Sequence, residues 1–250
     1  MRVQVLVASM NQIDFSLLDT MRIQSDVIVG NQCDRNSIEK FEYRGYSAIY
    51  LNFSERGVGL NRNNALMRAT GDICLFADDD MVYVDDYPAI IEKAFIANPK
   101  ADVIVFNLIE KNSDRKQIIK KQKINRLNYL RYGTARIAVR LKSIKENGIY
   151  FNQCFGGGTE HCHGEDNIFL TECLNKGLKI IALPIQIAEL TNVRESTWNE
   201  GYNEKYLKDQ GILYKTISKK WWRLLCLQDA IRKQKIYKMH WKKVYRIMTE

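Results

Sequence analysis

Three consecutive aspartates, Asp78, Asp79 and Asp80, directly follow an apolar run in the sequence. Clustered carboxylates repel one another unless a cation neutralises them. In an extended or turn segment, residues i and i+2 point the same way, so we expect Asp78 and Asp80 to converge on one ion while Asp79 faces elsewhere. Because every candidate ligand atom is an oxygen, the pattern favours Mg²⁺ or Mn²⁺ over Zn²⁺. The alternative interpretation is a solvated acidic turn before a helix that begins near Pro88.

A second acidic pair, Glu165 and Asp166, lies at the start of a helix predicted over 165–176 and ended by Gly177. The free N–H groups and the positive dipole end of a first helical turn favour charged carboxylates there. The residue types alone leave two interpretations open. Either the pair only complements the helix dipole, or one of the carboxylates does acid–base chemistry.

The segment before this pair contains Cys154, His161, Cys162 and His163 around the glycines at 156–158. These are zinc-ligand residue types, but the last three are too close in sequence for all of them to reach one tetrahedral ion easily, so zinc is disfavoured. Consecutive glycines instead predict a mobile flap that orders over a bound ligand, or a flexible surface loop with no role.

Short apolar runs rich in Val and Ile alternate with segments of helical spacing, which predicts an α/β fold with a mostly parallel sheet covered by helices on both faces. The predicted strands are 3–8, 26–30, 48–53, 73–77, 103–108, 136–139 and 179–183, the last one stopped by Pro184. The predicted helices are 15–22, 63–69, 88–97 and 165–176. Ligands of such sheets bind at the carboxyl ends of the strands, so the residues after Ala8, Gly30, Phe53 and Ala77 are expected to line a site.

The chain of 250 residues, 46% of them hydrophobic, is long enough to bury one large core. We predict a catalytic domain over 1–215 and a basic, aromatic helical segment over 216–250. The six scattered cysteines are expected to be reduced thiols. Since no apolar run approaches the length that spans a bilayer, these features predict a cytoplasmic protein.

The run GVGLNRNNALMRATGDICLFADDDM resembles the family 2 glycosyltransferases. The family pattern is a glycine-containing loop, an Arg-Asn pair that opens a helix, Ala-x-Gly-Asp before a strand, and then Asp-x-Asp. The matching positions are Gly57, Arg62, Asn63, Ala69, Gly71, Asp72, Asp78 and Asp80. Downstream, GEDNIFLTECLNKGLKI looks like the family's Glu-Asp motif, with a helix and a closing strand after it.

This resemblance implies a Rossmann-like A-type glycosyltransferase fold and a nucleoside-diphosphate sugar as donor, with a UDP-sugar expected. It implies Mn²⁺ or Mg²⁺ on Asp78 and Asp80, and Asp166 as the catalytic base with Glu165 beside it. The family usually has an Asp where this chain has Asn31, so base specificity stays open. The donor-binding residues expected from the resemblance are Ala8, Ser9, Asn11, Asn31, Arg62, Asp78 and Asp79.

In such a site an acceptor hydroxyl attacks from the face opposite the diphosphate and inverts the anomeric carbon in one displacement. The Gln-x-x-Arg-Trp motif of processive synthases is absent, so the resemblance implies addition of single sugars. The expected acceptor is lipid-linked or an oligosaccharide, in the synthesis of a bacterial surface polysaccharide such as capsule or lipopolysaccharide.

The net charge of +9 favours anionic partners without choosing among them. Residues 219–246 combine many Lys and Arg with interleaved Trp and Tyr. This composition suits an anionic membrane on the inner face of the cell, or a helix packed on the catalytic domain through Leu224, Leu225 and Leu227 with a solvated basic face. The basic stretch 111–131 is predicted to contact an acceptor pyrophosphate. Nucleic-acid binding is not expected.

Two other functions stay open at this point. A sugar-phosphate nucleotidyltransferase also combines a Rossmann-like sheet with metal-binding carboxylates, but such enzymes carry a Gly-rich, Arg-containing loop where this chain has residues 9–12, Ser-Met-Asn-Gln. A non-enzymatic basic module for acidic lipid or nucleic acid would leave Asp78, Asp80 and Asp166 without a role. That module predicts that replacing these aspartates by alanine preserves function.

Overall fold

The computed structural model describes residues 1–110, 117–191 and 201–250. These residues form one sheet whose strands are β1 (Val3–Met10), β2 (Asp26–Gln32), β3 (Ser37–Tyr43), β4 (Tyr46–Phe53), β5 (Ile73–Asp78), β6 (Met81–Tyr83), β7 (Val103–Ile109), β8 (Gln122–Ile124), β9 (Ile137–Arg140) and β10 (Ile180–Leu190). Their α-helices are α1 (Leu17–Thr20), α2 (Val58–Arg68), α3 (Tyr87–Ala97), α4 (Leu141–Glu146), α5 (Glu165–Asn175), α6 (Glu204–Ile217), α7 (Trp222–Lys233) and α8 (Trp241–Thr249).

The strand order is β3-β4-β2-β1-β5-β9-β7-β10-β6, with β8 paired to β10. Strands β1, β2, β4 and β5 are parallel to one another. Because β9 lies antiparallel between β5 and β7, strands β7 and β10 run in that same direction. Strands β3, β6 and β8 are antiparallel to their neighbours. The predicted α/β class with a mostly parallel sheet is confirmed.

The sheet buries both of its faces, as the continuous apolar runs of its central strands require. Along β1, Val5 and Val7 point to the face covered by α1 and α3, whereas Leu6 points to the face covered by α2, α4 and α5. On the second face the rings of Phe76 in β5 and Phe169 in α5 lie 5.5 Å apart between centroids. This packing fixes the distance between the two elements that carry the acidic clusters.

The main difference from the predicted strands is at Pro184, which lies inside β10 and does not end it. Pro184 is exposed and has no N–H to donate. The ladder between β7 and β10 shifts its register between Ala182 and Gln186, so no hydrogen bond is required from the proline there. Strand β1 continues beyond its predicted end at Ala8 to Met10. The helix predicted over 15–22 forms only the short α1.

Helices α6, α7 and α8 pack on one another around a small core of their own. Gly211 of α6 lies so close to α8 that a Cβ would come within 1.9 Å of the Met248 carbonyl oxygen. Leu213 of α6 packs with Ile168 of α5 and joins this helical unit to the sheet. The boundary predicted at residue 216 falls within the last turn of α6.

All six cysteines are free. Burial raises the pKa of Cys74 and of Cys173 to about 12, so both thiols stay protonated. In the part of the chain that the structure describes, no helix is both long and apolar enough to cross a bilayer.

Candidate active site

The three aspartates after β5 have different neighbours. Asp78 is the last residue of β5, and its Oδ1 accepts a hydrogen bond from Arg62 Nη2 at 2.7 Å. Asp79 accepts one from the Ser9 hydroxyl at 2.8 Å. Asp80 has a buried Oδ1, and its backbone carbonyl accepts a 2.8 Å hydrogen bond from the Thr191 N–H. The side chains of Asp78 and Asp79 therefore point to different parts of the site.

Arg62 links the two acidic clusters. Its side chain is 5% exposed, and its guanidinium donates to Asp78 at 2.7 Å and to Glu165 Oε1 at 2.8 Å. The Phe151 ring centroid lies 5.4 Å from the guanidinium carbon. Burial alone would lower the pKa of Arg62, but the charges of Asp78 and Glu165 raise that pKa above its usual value. Arg62 is therefore a permanent buried cation that joins the end of β5 to the start of α5.

Asp166 lies in the first turn of α5, and its Oδ1 accepts a hydrogen bond from the Asn167 N–H at 2.7 Å. Burial, reinforced by the charge of Glu165, raises the pKa of Asp166 to about 7 against the opposing effect of Arg62. A carboxylate with this pKa is a much stronger base than an ordinary aspartate and is still substantially ionised at neutral pH. Glu165, by contrast, is already paired with Arg62.

Buried amide side chains hold the loop after β1. Asn31, at 0% exposure, bonds both the N–H and the carbonyl of Gln12 at 2.9 Å, and it donates to Asn52 at 2.7 Å. The Asn31 amide therefore holds the backbone of the loop after β1 in place and is not exposed to solvent. Of the other residues predicted to bind the donor, Ala8 is buried in β1, and Asn11 is exposed with a left-handed φ of 56°.

Asn61 is a site residue that sequence reasoning missed. It is completely buried on α2, and its Nδ2 donates to the Gly30 carbonyl at 2.8 Å and to the Ser9 carbonyl at 3.2 Å. A Cβ on Gly30 would lie 1.9 Å from Asn61 Oδ1, so glycine leaves the space that this amide occupies. The available signal was asparagine itself, which is unfavourable inside a helix unless its side chain has a partner.

The predicted metal site consists of two carboxylates. In the described ranges no group of three or more His, Cys, Asp or Glu side chains is arranged to hold a metal ion, which also leaves the zinc alternative without support. Asp78 is paired with Arg62 through Oδ1, yet its side chain keeps 41% exposure. Two carboxylates are fewer than the six oxygen ligands that Mg²⁺ or Mn²⁺ takes, so an ion held by Asp78 and Asp80 would need further oxygens from a bound ligand.

The glycine-containing loop before α5 is anchored on two sides. Val58 of α2 donates its N–H to the Gly157 carbonyl at 3.0 Å. His161 Nδ1 lies 3.1 Å from Asp209 Oδ1 of α6. Burial raises the pKa of Asp209, but hydrogen bonds to its carboxylate, above all the one from Lys205, outweigh this effect and lower the pKa to about 2. The anchor is therefore anionic.

Asp166 borders a cavity of about 740 Å³. One wall comes from residues 127–136 and the start of α5, and the other comes from α6 and α7. Gly133 lies against the carboxylate, since a Cβ there would be 3.5 Å from Asp166 Oδ2. The C-terminal helices therefore form part of the site.

A family model described as "Glycosyl transferase family 2" matches residues 24–156, more than half of the 250 residues. None of the curated proteins compared with the chain matches it. Among solved structures, the chain is similar to residues 1–349 of S. aureus TarS in complex with UDP-GlcNAc, with 17% identity and a TM-score of 0.66 over 94% of this chain and 73% of that one.

The structure of TarS 1–349 in complex with UDP gives 17% identity and a TM-score of 0.63 over 94% of this chain and 72% of that one. A longer TarS structure gives 16% identity and a TM-score of 0.63 over 94% of this chain and 44% of that one. At these identities the likeness concerns the fold, and the predicted A-type, Rossmann-like architecture is confirmed.

Proposed function

The chain belongs to glycosyl transferase family 2, and from that premise we propose that it is an inverting, non-processive enzyme that transfers one sugar from a UDP-sugar to an acceptor hydroxyl. The TarS structures with UDP-GlcNAc and UDP support a uridine nucleotide as donor. The proposed acceptor is an oligosaccharide or a lipid-linked glycan of a surface polysaccharide, such as capsule or lipopolysaccharide.

The observation that carries this proposal is the position and the raised pKa of Asp166. Its carboxylate borders a cavity large enough for a sugar unit, and its pKa of about 7 suits a general base at neutral pH. Asp166 would accept the proton of the acceptor hydroxyl as the oxygen attacks the anomeric carbon. Because Glu165 is paired with Arg62 at 2.8 Å, Asp166 is the better placed of the two for this task.

Arg62 acts as a positioning residue in this mechanism. Its two ion pairs fix the start of α5 relative to the end of β5, and thereby fix the base relative to Asp78. A divalent ion bound at Asp78 and Asp80 would neutralise the diphosphate as a leaving group. Asp79, oriented by Ser9, lies beside these residues on the side of the loop after β1.

The test is a screen of nucleotide-sugars for thermal stabilisation in the presence of Mn²⁺, since a bound ligand stabilises the folded protein by mass action. We expect UDP and one UDP-sugar to raise the melting temperature, and EDTA to abolish the shift. The matched variant Asp166→Asn should keep the UDP shift and lose sugar transfer. If no nucleoside diphosphate changes the melting temperature with Mn²⁺ present, the proposal is wrong.

Family membership favours this function over the nucleotidyltransferase alternative. The non-enzymatic alternative is tested by the same protein preparations. It predicts that alanine at Asp78, Asp80 or Asp166 leaves function unchanged, whereas the proposed enzyme requires all three. Loss of transfer in the Asp166→Asn variant together with retained UDP binding would exclude a purely binding role.

We also propose that the α6–α7 corner contacts the anionic inner face of the cell membrane. Trp221 and Leu224 are 55% and 56% exposed, and the Lys220 ammonium lies 5.1 Å from the Trp221 ring centroid. Exposed aromatic and basic groups together suit the lipid headgroup region. In sedimentation with phosphatidylglycerol vesicles, Trp221→Ser/Leu224→Ser should bind less than wild type and Ile96→Ser, exposed on α3, should not. Equal binding by all three proteins would contradict this proposal.

A further inference from the structure

The cavity beside Asp166 carries more positive charge than sugar binding requires. Sugars are held by hydroxyl-directed hydrogen bonds and by apolar or aromatic surfaces, which the Tyr206 and Tyr214 side chains in the wall provide. The charged residues of the lining are Arg131, Arg136, Asp166, Asp229, Arg232 and Lys233. The partners of these residues decide which charges are available to a ligand.

Two of the four cations are neutralised within the protein. Arg136 is 5% exposed and pairs with Glu110. Lys233 Nζ lies 2.7 Å from Asp229 Oδ1 and belongs to the helical unit's own network. Neither of these two cations is available to an incoming anion without breaking an ion pair.

The other two cations, Arg131 and Arg232, face the cavity without a carboxylate partner among the described residues. Arg131 is oriented by neutral groups only, since its Nη2 donates to Gln122 at 2.9 Å and to the Tyr132 hydroxyl at 2.8 Å. Its guanidinium carbon lies 5.0 Å from the Tyr132 ring centroid. Arg131 is therefore held in place with its charge uncompensated, and Arg232 of α7 contributes a second charge to the lining of the same cavity.

We infer that Arg131 and Arg232 bind a phosphate group of the acceptor while Asp166 receives the proton of the acceptor hydroxyl. Guanidinium groups match the geometry of phosphate oxygens, and two of them from different elements of the lining would orient the acceptor in the cavity. The inference rests on the proposed function and specifies its substrate class: acceptors that carry a phosphate monoester, phosphodiester or pyrophosphate close to the hydroxyl that is glycosylated.

The inference also gives the C-terminal helices a task in the reaction. Arg232 lies near the end of α7, which shares a core with α6, and Leu213 of α6 packs with Ile168 of α5. Of the stretch 111–131 that the sequence associated with an acceptor pyrophosphate, residues 111–116 lie outside the described residues. Arg131, its last residue, is the basic residue of the described part of that stretch that lines the cavity.

The test uses saturation-transfer NMR with sn-glycerol 3-phosphate as probe and glycerol as the uncharged comparison, in the presence of saturating UDP and Mn²⁺ so that the donor site is filled. We expect wild type to bind the phosphate and not glycerol, and Arg131→Gln/Arg232→Gln to bind it at least tenfold more weakly. Arg223→Gln is the matched control, because Arg223 lies on the same helix but stacks on Trp222 outside the cavity. The double lysine variant should recover part of the affinity.

The outcomes separate this inference from the proposed function. If UDP raises the melting temperature but wild type and the double glutamine variant bind glycerol 3-phosphate equally, the inference is wrong and the glycosyltransferase proposal stands. If UDP causes no shift, the proposed function fails whatever the phosphate does. Because both arginines are exposed, the glutamine variants are expected to melt within about 2 °C of wild type.

A vesicle experiment distinguishes an acceptor phosphate from the phosphate of a lipid headgroup. Sedimentation with phosphatidylglycerol vesicles should be unchanged in Arg131→Gln/Arg232→Gln, because the two side chains line a cavity. If this variant loses vesicle binding and keeps its affinity for glycerol 3-phosphate, the arginines serve a membrane surface and the inference is overturned.

Discussion

Replacing Arg62 by methionine tests whether one buried cation holds the two acidic clusters together. Methionine keeps much of the apolar stem of Arg62 and removes the guanidinium, together with its contact with the Phe151 ring. The variant leaves Glu165, whose side chain is 14% exposed, without its counter-charge, whereas Asp78 at 41% exposure can be hydrated. Most of the loss of stability should therefore come from Glu165.

The magnitude follows from these exposures. Breaking a buried ion pair by removing one partner costs about 3–5 kcal/mol, whereas an exposed pair contributes about 0–1 kcal/mol. We therefore expect Arg62→Met to lose about 3–5 kcal/mol of unfolding free energy. At roughly 2–4 °C per kcal/mol for a chain of this size, the melting temperature should fall by about 10 °C.

Urea denaturation followed by circular dichroism measures the free energy, and thermal denaturation gives the melting temperature. Arg68→Met is the matched control, since Arg68 lies on the same helix, is exposed and bonds only the Asn64 carbonyl, so its change should stay within about 0.5 kcal/mol. Adding Glu165→Gln to Arg62→Met removes the uncompensated charge and should restore at least about 1 kcal/mol. A loss below about 1 kcal/mol in Arg62→Met, or no recovery in the double variant, would refute the reasoning.

Three further predictions concern the base and the strand ends. Because only ionised Asp166 accepts a proton, kcat/KM should rise about tenfold per pH unit below a pH of about 7 and level off above it; a plateau reached near pH 5 would contradict this. Because folding raises the pKa of Asp166, this residue lowers the free energy of unfolding as the pH rises from about 4 to about 7. Asp166→Asn should therefore melt at a higher temperature than wild type at pH 8 but not at pH 3. An equal difference in melting temperature at both pH values would refute this prediction. A Cβ on Gly30 would lie 1.9 Å from Asn61 Oδ1, whereas one on Gly133 would lie 3.5 Å from Asp166 Oδ2, an ordinary van der Waals distance. Gly30→Ala should therefore lower the melting temperature and Gly133→Ala should leave it nearly unchanged. The reverse pattern would be inconsistent with the structure.

The sequence was sufficient for the central strands because each is a continuous apolar run, as strands buried on both faces must be. It was also sufficient to place the acidic clusters, since Asp78 ends β5 and Glu165 opens α5. The edge strand β3 was missed because none of its residues is fully buried: half-buried and exposed residues alternate along it. The available sequence signal was Gly45 in the turn to β4. In the structure Arg44 and Gly45 have φ values of 50° and 84°, the geometry of a two-residue hairpin loop, which favours glycine.

The contacts within the site could not be predicted from the sequence. Arg62 is separated by 16 residues from Asp78 and by 103 from Glu165, and no local pattern reports such distant partners. For the same reason the sequence did not indicate that Asn31, predicted to bind the donor, also holds the Gln12 backbone through its amide. The composition of α7 predicted either contact with an anionic membrane or packing on the catalytic domain. Only the tertiary structure shows that the last turn of α7 lines the cavity beside Asp166.

The separate core of α6, α7 and α8 has a consequence for how such a protein can diversify. One side of the cavity belongs to a unit that has a core of its own and packs on α5 through Leu213. Mutations on the inner surface of that unit can therefore accumulate without disturbing the arginine and asparagines that organise the strand ends. On the acceptor site that we infer, grafting a different helical trio onto the same sheet should change the acceptor and keep the donor.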